Sequence, residues 1–86
     1  MALDIFGNTL YTGDVVVYAD VEIGSEETVL TVYEVDEVVD KDVVLAMAMS
    51  GDDVGLPFYL QETDRRCSLI RNVYKTAELK FKSTMH

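Results

Sequence analysis

Residues 28–49 read TVLTVYEVDEVVDKDVVLAMAM, and their reading decides the fold. Two valine-rich runs flank the charged turn Asp40-Lys41-Asp42. Valine is stiff at χ1 and packs better on a pleated surface than along a helix. The stretch therefore predicts one long antiparallel hairpin with the other strands folded around it. Period two sets Val29, Thr31, Tyr33 and Val35 on one face of its first strand, with Leu30, Val32, Glu34 and Asp36 on the other. In the second strand Val43, Leu45, Met47 and Met49 share a face, opposite Val44, Ala46 and Ala48. A two-residue turn would bring Glu34 and Asp36 beside Leu45 and Met47, and burying carboxylates against methionine is costly. The expected register instead pairs Val35 with Leu45 and Tyr33 with Met47, through a three- or five-residue loop or a bulge near Val39. The expected core face is Val29, Tyr33, Val35, Val43, Leu45, Met47 and Met49. The expected outer face carries Glu34 and Asp36 over Val44, Ala46 and Ala48.

Working outward, Gly7-Asn8 and Thr12-Gly13 are turn signals around the apolar step Leu10-Tyr11. Residues 15–18, VVVY, read as a short strand, apolar throughout. Residues 19–27, ADVEIGSEE, read as an acidic solvated loop, the candidate mobile loop of the chain, with Val21 and Ile23 near the core. Residues 50–55 are turn-rich, and Pro57 opens an edge strand running through Phe58-Tyr59-Leu60. Residues 61–66 suit a turn or a single helical turn. Residues 67–74, CSLIRNVY, read as the last strand, with Leu69 and Val73 on one face and Ile70 on the other. The domain is expected over residues 1–75. Residues 76–86 read as a C-terminal tail, which its two lysines and Phe81 make a loosely docked or an extended arm.

The chain has 86 residues, a net charge of −9 and 49% hydrophobic residues, enough for one packed domain. Charge is segregated. Residues 1–64 hold fifteen acids and one base, Lys41, whereas residues 65–86 hold one acid and six bases. The acidic body repels phosphate, so duplex binding is disfavoured, and it attracts a basic protein surface. The plainer reading of the same charge is solubility. The lone Cys67 forms no internal disulfide. The start, MALDIFGNTL, lacks a signal-peptide pattern, and the longest apolar run is far shorter than a membrane helix. A cytoplasmic protein without a membrane partner is expected.

Asp4, Gly7, Leu10, Gly13-Asp14, Val16 and Tyr18 follow a D-x-x-G-x-x-L-x-x-G-D-x-V-x-Y pattern, and the chain closes on a strand with Leu69-Ile70-Arg71. Over residues 4–73 this resembles the SH3-like small-barrel superfamily, in particular short proteins of phages and bacteria. The resemblance implies an all-β, five-stranded SH3-like barrel. Related KOW-type modules bind RNA or ribosomal and transcription proteins through basic loops, whereas the corresponding loops here are acidic. Fold resemblance alone carries little function.

No catalytic set stands out. His86, the only histidine, is the last residue, and Cys67 has only Arg65 and Arg66 beside it in sequence. A buried structural thiol is the plainer reading of Cys67. No acidic doublet has the spacing of a calcium loop. No enzyme activity, metal or cofactor is therefore expected. Two surfaces remain. Asp20, Glu22, Glu26, Glu27, Glu34, Asp36 and Glu37 form a candidate protein-binding acidic face. On a sheet, such carboxylates would stand about 5 Å apart across strands and about 7 Å along them, a spacing able to imitate phosphates. Arg65, Arg66, Arg71 and Lys75 form a basic cluster that grips an acidic partner or neutralises the chain's own acids. The first expectation is a non-enzymatic regulator or inhibitor, phage-type, that binds a basic protein partner. The alternatives are an assembly subunit that homo-oligomerises through strand edges and a nucleic-acid module using the basic cluster.

Overall fold

The computed structural model describes residues 1–21 and 27–71. Its centre is an antiparallel sheet of five strands: β3 (Val15–Val21), β4 (Thr28–Asp40), β5 (Val43–Ala48), β6 (Pro57–Leu60) and β7 (Cys67–Arg71). Their order is β6-β5-β4-β3-β7. Two short strands, β1 (Ala2–Leu3) and β2 (Thr9–Leu10), make a separate antiparallel ladder, and one turn of helix, α1 (Thr63–Arg66), precedes β7. The chain is thus all-β with a small five-stranded sheet, and the long hairpin β4–β5 lies within it. The expected closure into a barrel is not seen among the described residues: β6 and β7 stand at opposite edges.

One face of the sheet is the core. Val16, Tyr18, Tyr33, Val35, Val44, Ala46, Ala48, Leu60 and Cys67 are buried there, joined by Ala2 and Leu10 from the β1–β2 ladder. The N-terminal segment is laid over this face by the Ile5 N–H, which donates to the Cys67 carbonyl at 2.9 Å. Helix α1 closes the same face through the Thr63 N–H, which donates to the Asp42 carbonyl at 3.2 Å. The D-x-x-G…G-D pattern is explained by this packing. Asp4 and Asp14 are buried turn-formers, Gly7 and Gly13 adopt φ of 80° and 91°, and Leu10, Val16 and Tyr18 enter the core.

The hairpin corrects the expected face of β5. Its connection is the two-residue Lys41-Asp42, and the ladder slips twice, at Asp36 and at Val39. The bulge near Val39 was anticipated; the one at Asp36 was not. Together they pair Tyr33 with Ala48, Val35 with Ala46 and Glu34 with Met47. The core face of β5 is therefore Val44, Ala46 and Ala48. Val43 and Leu45 are half-buried on the other side, and Met47 and Met49 are exposed. The cause is steric. Tyr33 stands edge-on to Tyr18 and to Phe58, with ring centroids 6.0 and 5.9 Å away, and alanines beneath this row leave it room. The feared burial of Glu34 against Met47 does not arise, because that side of the sheet is open. Val29, also expected in the core, is exposed.

Two further differences concern length. β3 continues through Val21, paired with Thr28, so residues 19–21 belong to a strand and not to a loop. Its regular ladder with β4 outweighs the polarity of Asp20. Residues 22–26 and 72–86 lie outside the described residues, and with them Ile23 of the expected loop, residues 72–74 of the expected last strand and the expected tail.

Candidate functional site

Beyond the aromatic row Tyr18–Tyr33–Phe58, the core face is no longer covered by the N-terminal ladder. There the sheet holds a concavity of about 230 Å³ lined by Asp20, Val29, Thr31, Tyr33, Phe58 and residues 50–53. Three strands supply its floor at alternate positions: Asp20 from β3, Val29, Thr31 and Tyr33 from β4, and Phe58 from β6.

Its rim is the connection between β5 and β6, which backbone bonds hold in place. The Met49 N–H donates to the Val32 carbonyl at 2.8 Å, and the Ser50 hydroxyl accepts from the Val32 N–H at 3.0 Å. The Gly55 N–H donates to the Ala48 carbonyl at 2.9 Å, and the Leu56 N–H donates to the Asp53 carbonyl at 3.0 Å. Gly51, at φ 80°, permits the bend that presents Asp52 and Asp53.

The concavity is acidic. Asp20, Asp52 and Asp53 are exposed around it, and among the described residues no cationic side chain lines it. Burial, and next the Asp20 carboxylate, push the Tyr33 phenol above its ordinary value of 10.0, even though the Thr31 side chain hydrogen-bonds it. Tyr33 is thus neutral at physiological pH. Its ring with that of Phe58 gives an apolar floor beneath carboxylates. Among the described residues, no three His, Cys, Asp or Glu side chains are gathered closely enough to hold a metal ion. Such a site suits an organic cation, whose alkyl part lies on the rings while its head meets the acids.

The residues of the expected acidic face separate. Glu34 and Glu37 belong to the open side of the sheet, cross-strand from Met47 and Leu45. Asp36 occupies the bulge and is exposed. Asp20 belongs to the opposite side, at the concavity. Glu27 is exposed just before β4, and Glu22 and Glu26 lie outside the described residues. Sequence reading missed Asp52 and Asp53 as partners of Asp20. Their only signal was an acidic doublet in a turn-rich connection.

The basic cluster separates too. Arg65 is exposed. Arg66 is committed within the molecule: its Nε lies 3.1 Å from Glu62, and its Nη1 donates to the Tyr18 hydroxyl at 3.4 Å. Its guanidinium carbon stands 6.0 Å from the Tyr18 ring centroid. Arg71 is described only in its backbone, as the last residue of β7, and Lys75 lies outside the described residues.

Cys67 is fully buried, and desolvation pushes its thiol up to about 12, with Asp4 adding to the effect. It is a core thiol and not a nucleophile. No helix among the described residues is long and apolar enough to cross a membrane. Comparison with protein-family models found no match, and comparisons with curated proteins and with solved structures found no significant one.

Proposed function

We propose that the protein is a non-enzymatic binding module that docks a basic protein surface, acting as a small regulator or inhibitor of that partner. The observation that carries this reading is the concavity with Asp20, Asp52 and Asp53 over the rings of Tyr33 and Phe58. A lysine or arginine of the partner would lay its methylenes on the rings and its charge among the carboxylates. The surrounding negative charge, −9 over the chain, would speed encounter with a basic partner. The SH3-like resemblance of residues 4–73 agrees with a binding role, and a phage-type, cytoplasmic setting belongs to the same proposal.

The test titrates a fluorescent hexa-arginine peptide into the full chain at low and at high salt. Binding should weaken with salt and fall at least tenfold in Asp20→Asn/Asp52→Asn/Asp53→Asn. Unchanged affinity in that variant would remove the site.

A second reading is favoured by an open sheet edge. β6 leaves one side of its backbone without a strand partner among the described residues, and such an edge templates self-association. A stable oligomer of the full chain in sedimentation at micromolar concentration would favour an assembly subunit instead.

A further inference from the structure

The two edges of the five-stranded sheet differ. At β7 the outward backbone groups are occupied: the Ile5 N–H donates to the Cys67 carbonyl at 2.9 Å, and the Leu69 N–H donates to the Asp4 carboxylate at 2.9 Å. At the other edge β6 has no strand beyond it among the described residues, and its sequence PFYL holds no charge to guard it.

Which groups β6 turns outward follows from its neighbours. The Met49 N–H donates to the Val32 carbonyl, toward β4, so the backbone groups of Ala48 turn toward β6, where its N–H donates to the Leu56 carbonyl at 3.0 Å. From there the register runs unbroken, pairing Met47 with Pro57, Ala46 with Phe58, Leu45 with Tyr59 and Val44 with Leu60. Bonded and non-bonded pairs alternate in an antiparallel ladder. Phe58 and Leu60 therefore bond to β5, whereas Pro57 and Tyr59 turn their backbone groups outward. Proline, which has no N–H, is tolerated at such a position.

We propose that β6 pairs antiparallel with β6 of a second copy, about a twofold axis at Tyr59. Two observations select that occupant. The first is backbone bonding. Centred there, the two Tyr59 residues exchange both of their N–H and C=O groups. Pro57 then lies opposite Gln61 of the second copy. Proline offers that carbonyl no donor, but the Gln61 carbonyl already accepts from the Tyr18 hydroxyl at 3.1 Å. A pairing centred on Phe58 would instead leave each Tyr59 carbonyl facing Pro57 without a donor. The second is the side chain. Tyr59 is 65% exposed on the side opposite the core, and the pairing sets its ring beside its symmetry mate, a stabilising cross-strand contact. Because β7 is occupied, joining two β6 edges uses the open edge of both copies, and assembly closes at a dimer.

The net charge of −9 opposes this association, so it should strengthen as salt screens the repulsion, opposite to the salt dependence expected at the concavity. The inference rests on the second reading above, to which it adds the edge, the register and the axis, and it is separate from the concavity.

The test is sedimentation velocity of the full chain from micromolar to submillimolar concentration, at low and high salt, with far-UV circular dichroism reporting an intact fold. Tyr59→Pro removes the outward N–H without touching a bond to β5. Tyr59→Lys and Tyr59→Glu set like charges directly across the axis. Each of the three should weaken dimerisation about tenfold or more, and an equimolar mixture of the lysine and glutamate variants should recover it, because opposite charges then face each other. A monomer at every concentration would overturn the pairing and the second reading together. An oligomer that survives the three variants, weakens with salt or grows beyond two copies would overturn the pairing and leave the second reading standing.

Discussion

The carboxylate of Asp4 accepts a hydrogen bond from the backbone N–H of Leu69 at 2.9 Å, tying the first turn of the chain to its last described strand. The same side chain accepts from the N–H groups of Phe6 and Asn8 at 3.0 and 2.7 Å and from the Asn8 amide at 3.1 Å. Asp4 is only 2% exposed, and its one carboxylate satisfies these four donors. Asp4→Ala should cost about 2–4 kcal/mol. Asp4→Asn should be little better, because an amide turns a donor toward one of the donors it must satisfy. Chemical denaturation of both variants checks this, and a loss below about 1 kcal/mol would contradict the network.

The same network sets an acid limit. Desolvation by burial would raise the Asp4 pKa, but the bonds from Leu69, Asn8 and Phe6 outweigh it and hold the group below its ordinary 3.8. A carboxylate with a lowered folded pKa adds stability that is fully present above the unfolded value and disappears as pH falls through the folded one. Stability should therefore drop below about pH 4, and the Asp4→Ala variant should show a shallower drop over that range. Denaturation midpoints between pH 2 and 5 measure the difference.

The pairing of Tyr33 with Ala48 and Val35 with Ala46 makes opposite demands on the two sides of β5. Ala46 is fully buried, so Ala46→Leu overpacks the space beneath the aromatic row and should cost about 1–3 kcal/mol. Met49 is 45% exposed, and Met49→Lys should change stability by no more than about 0.5 kcal/mol. The register expected from alternation alone would reverse this order, so urea denaturation of the two variants decides between the registers.

That reversal shows how far the sequence could be read. The valine runs made the β4–β5 hairpin legible, because β-branched residues at period two leave few alternatives. The turn signals around Gly7 and Gly13 were legible because positive φ favours glycine. Inner and outer faces of β5 were not, because a single unpaired residue inverts parity and nothing in Val35-Asp36-Glu37 announces a bulge. The assumption that Met outranks Ala as a core residue also failed, since the volume near Ala46 and Ala48 is taken by rings from neighbouring strands. At the concavity, Asp20 was read as part of an acidic face, but its meeting with Asp52 and Asp53 depends on strand order. Thirty-one residues of chain separate Asp20 from Asp52, and the sheet brings them to one end.

The thiol of Cys67 gives a direct probe of the fold. It is buried beside the N-terminal segment, whose Ile5 N–H donates to its carbonyl, and its pKa is pushed up to about 12. At pH 8 it should react with a disulfide reagent no faster than the protein opens, and at the rate of a free thiol in denaturant. Reaction of the native protein at the free-thiol rate would show that β7 is not covered as described.

Thr63 presents the reverse of Asp4. It is fully buried at the start of α1, and its hydroxyl has no hydrogen-bond partner among the described residues. Its backbone N–H is satisfied by the Asp42 carbonyl, so the residue's position does not depend on the side-chain oxygen. Removing an unpaired buried hydroxyl while keeping the shape of the side chain relieves a desolvation cost. Thr63→Val replaces that oxygen with a methyl group of nearly equal volume, in a setting formed by the core face. It should stabilise the protein by about 1 kcal/mol, which for a domain of this size raises Tm by about 4–8 °C. Thr63→Ser keeps the hydroxyl and loses the methyl, so it should destabilise. If valine lowers Tm while serine leaves it unchanged, the hydroxyl is satisfied in solution and the assignment of an unpaired group is wrong.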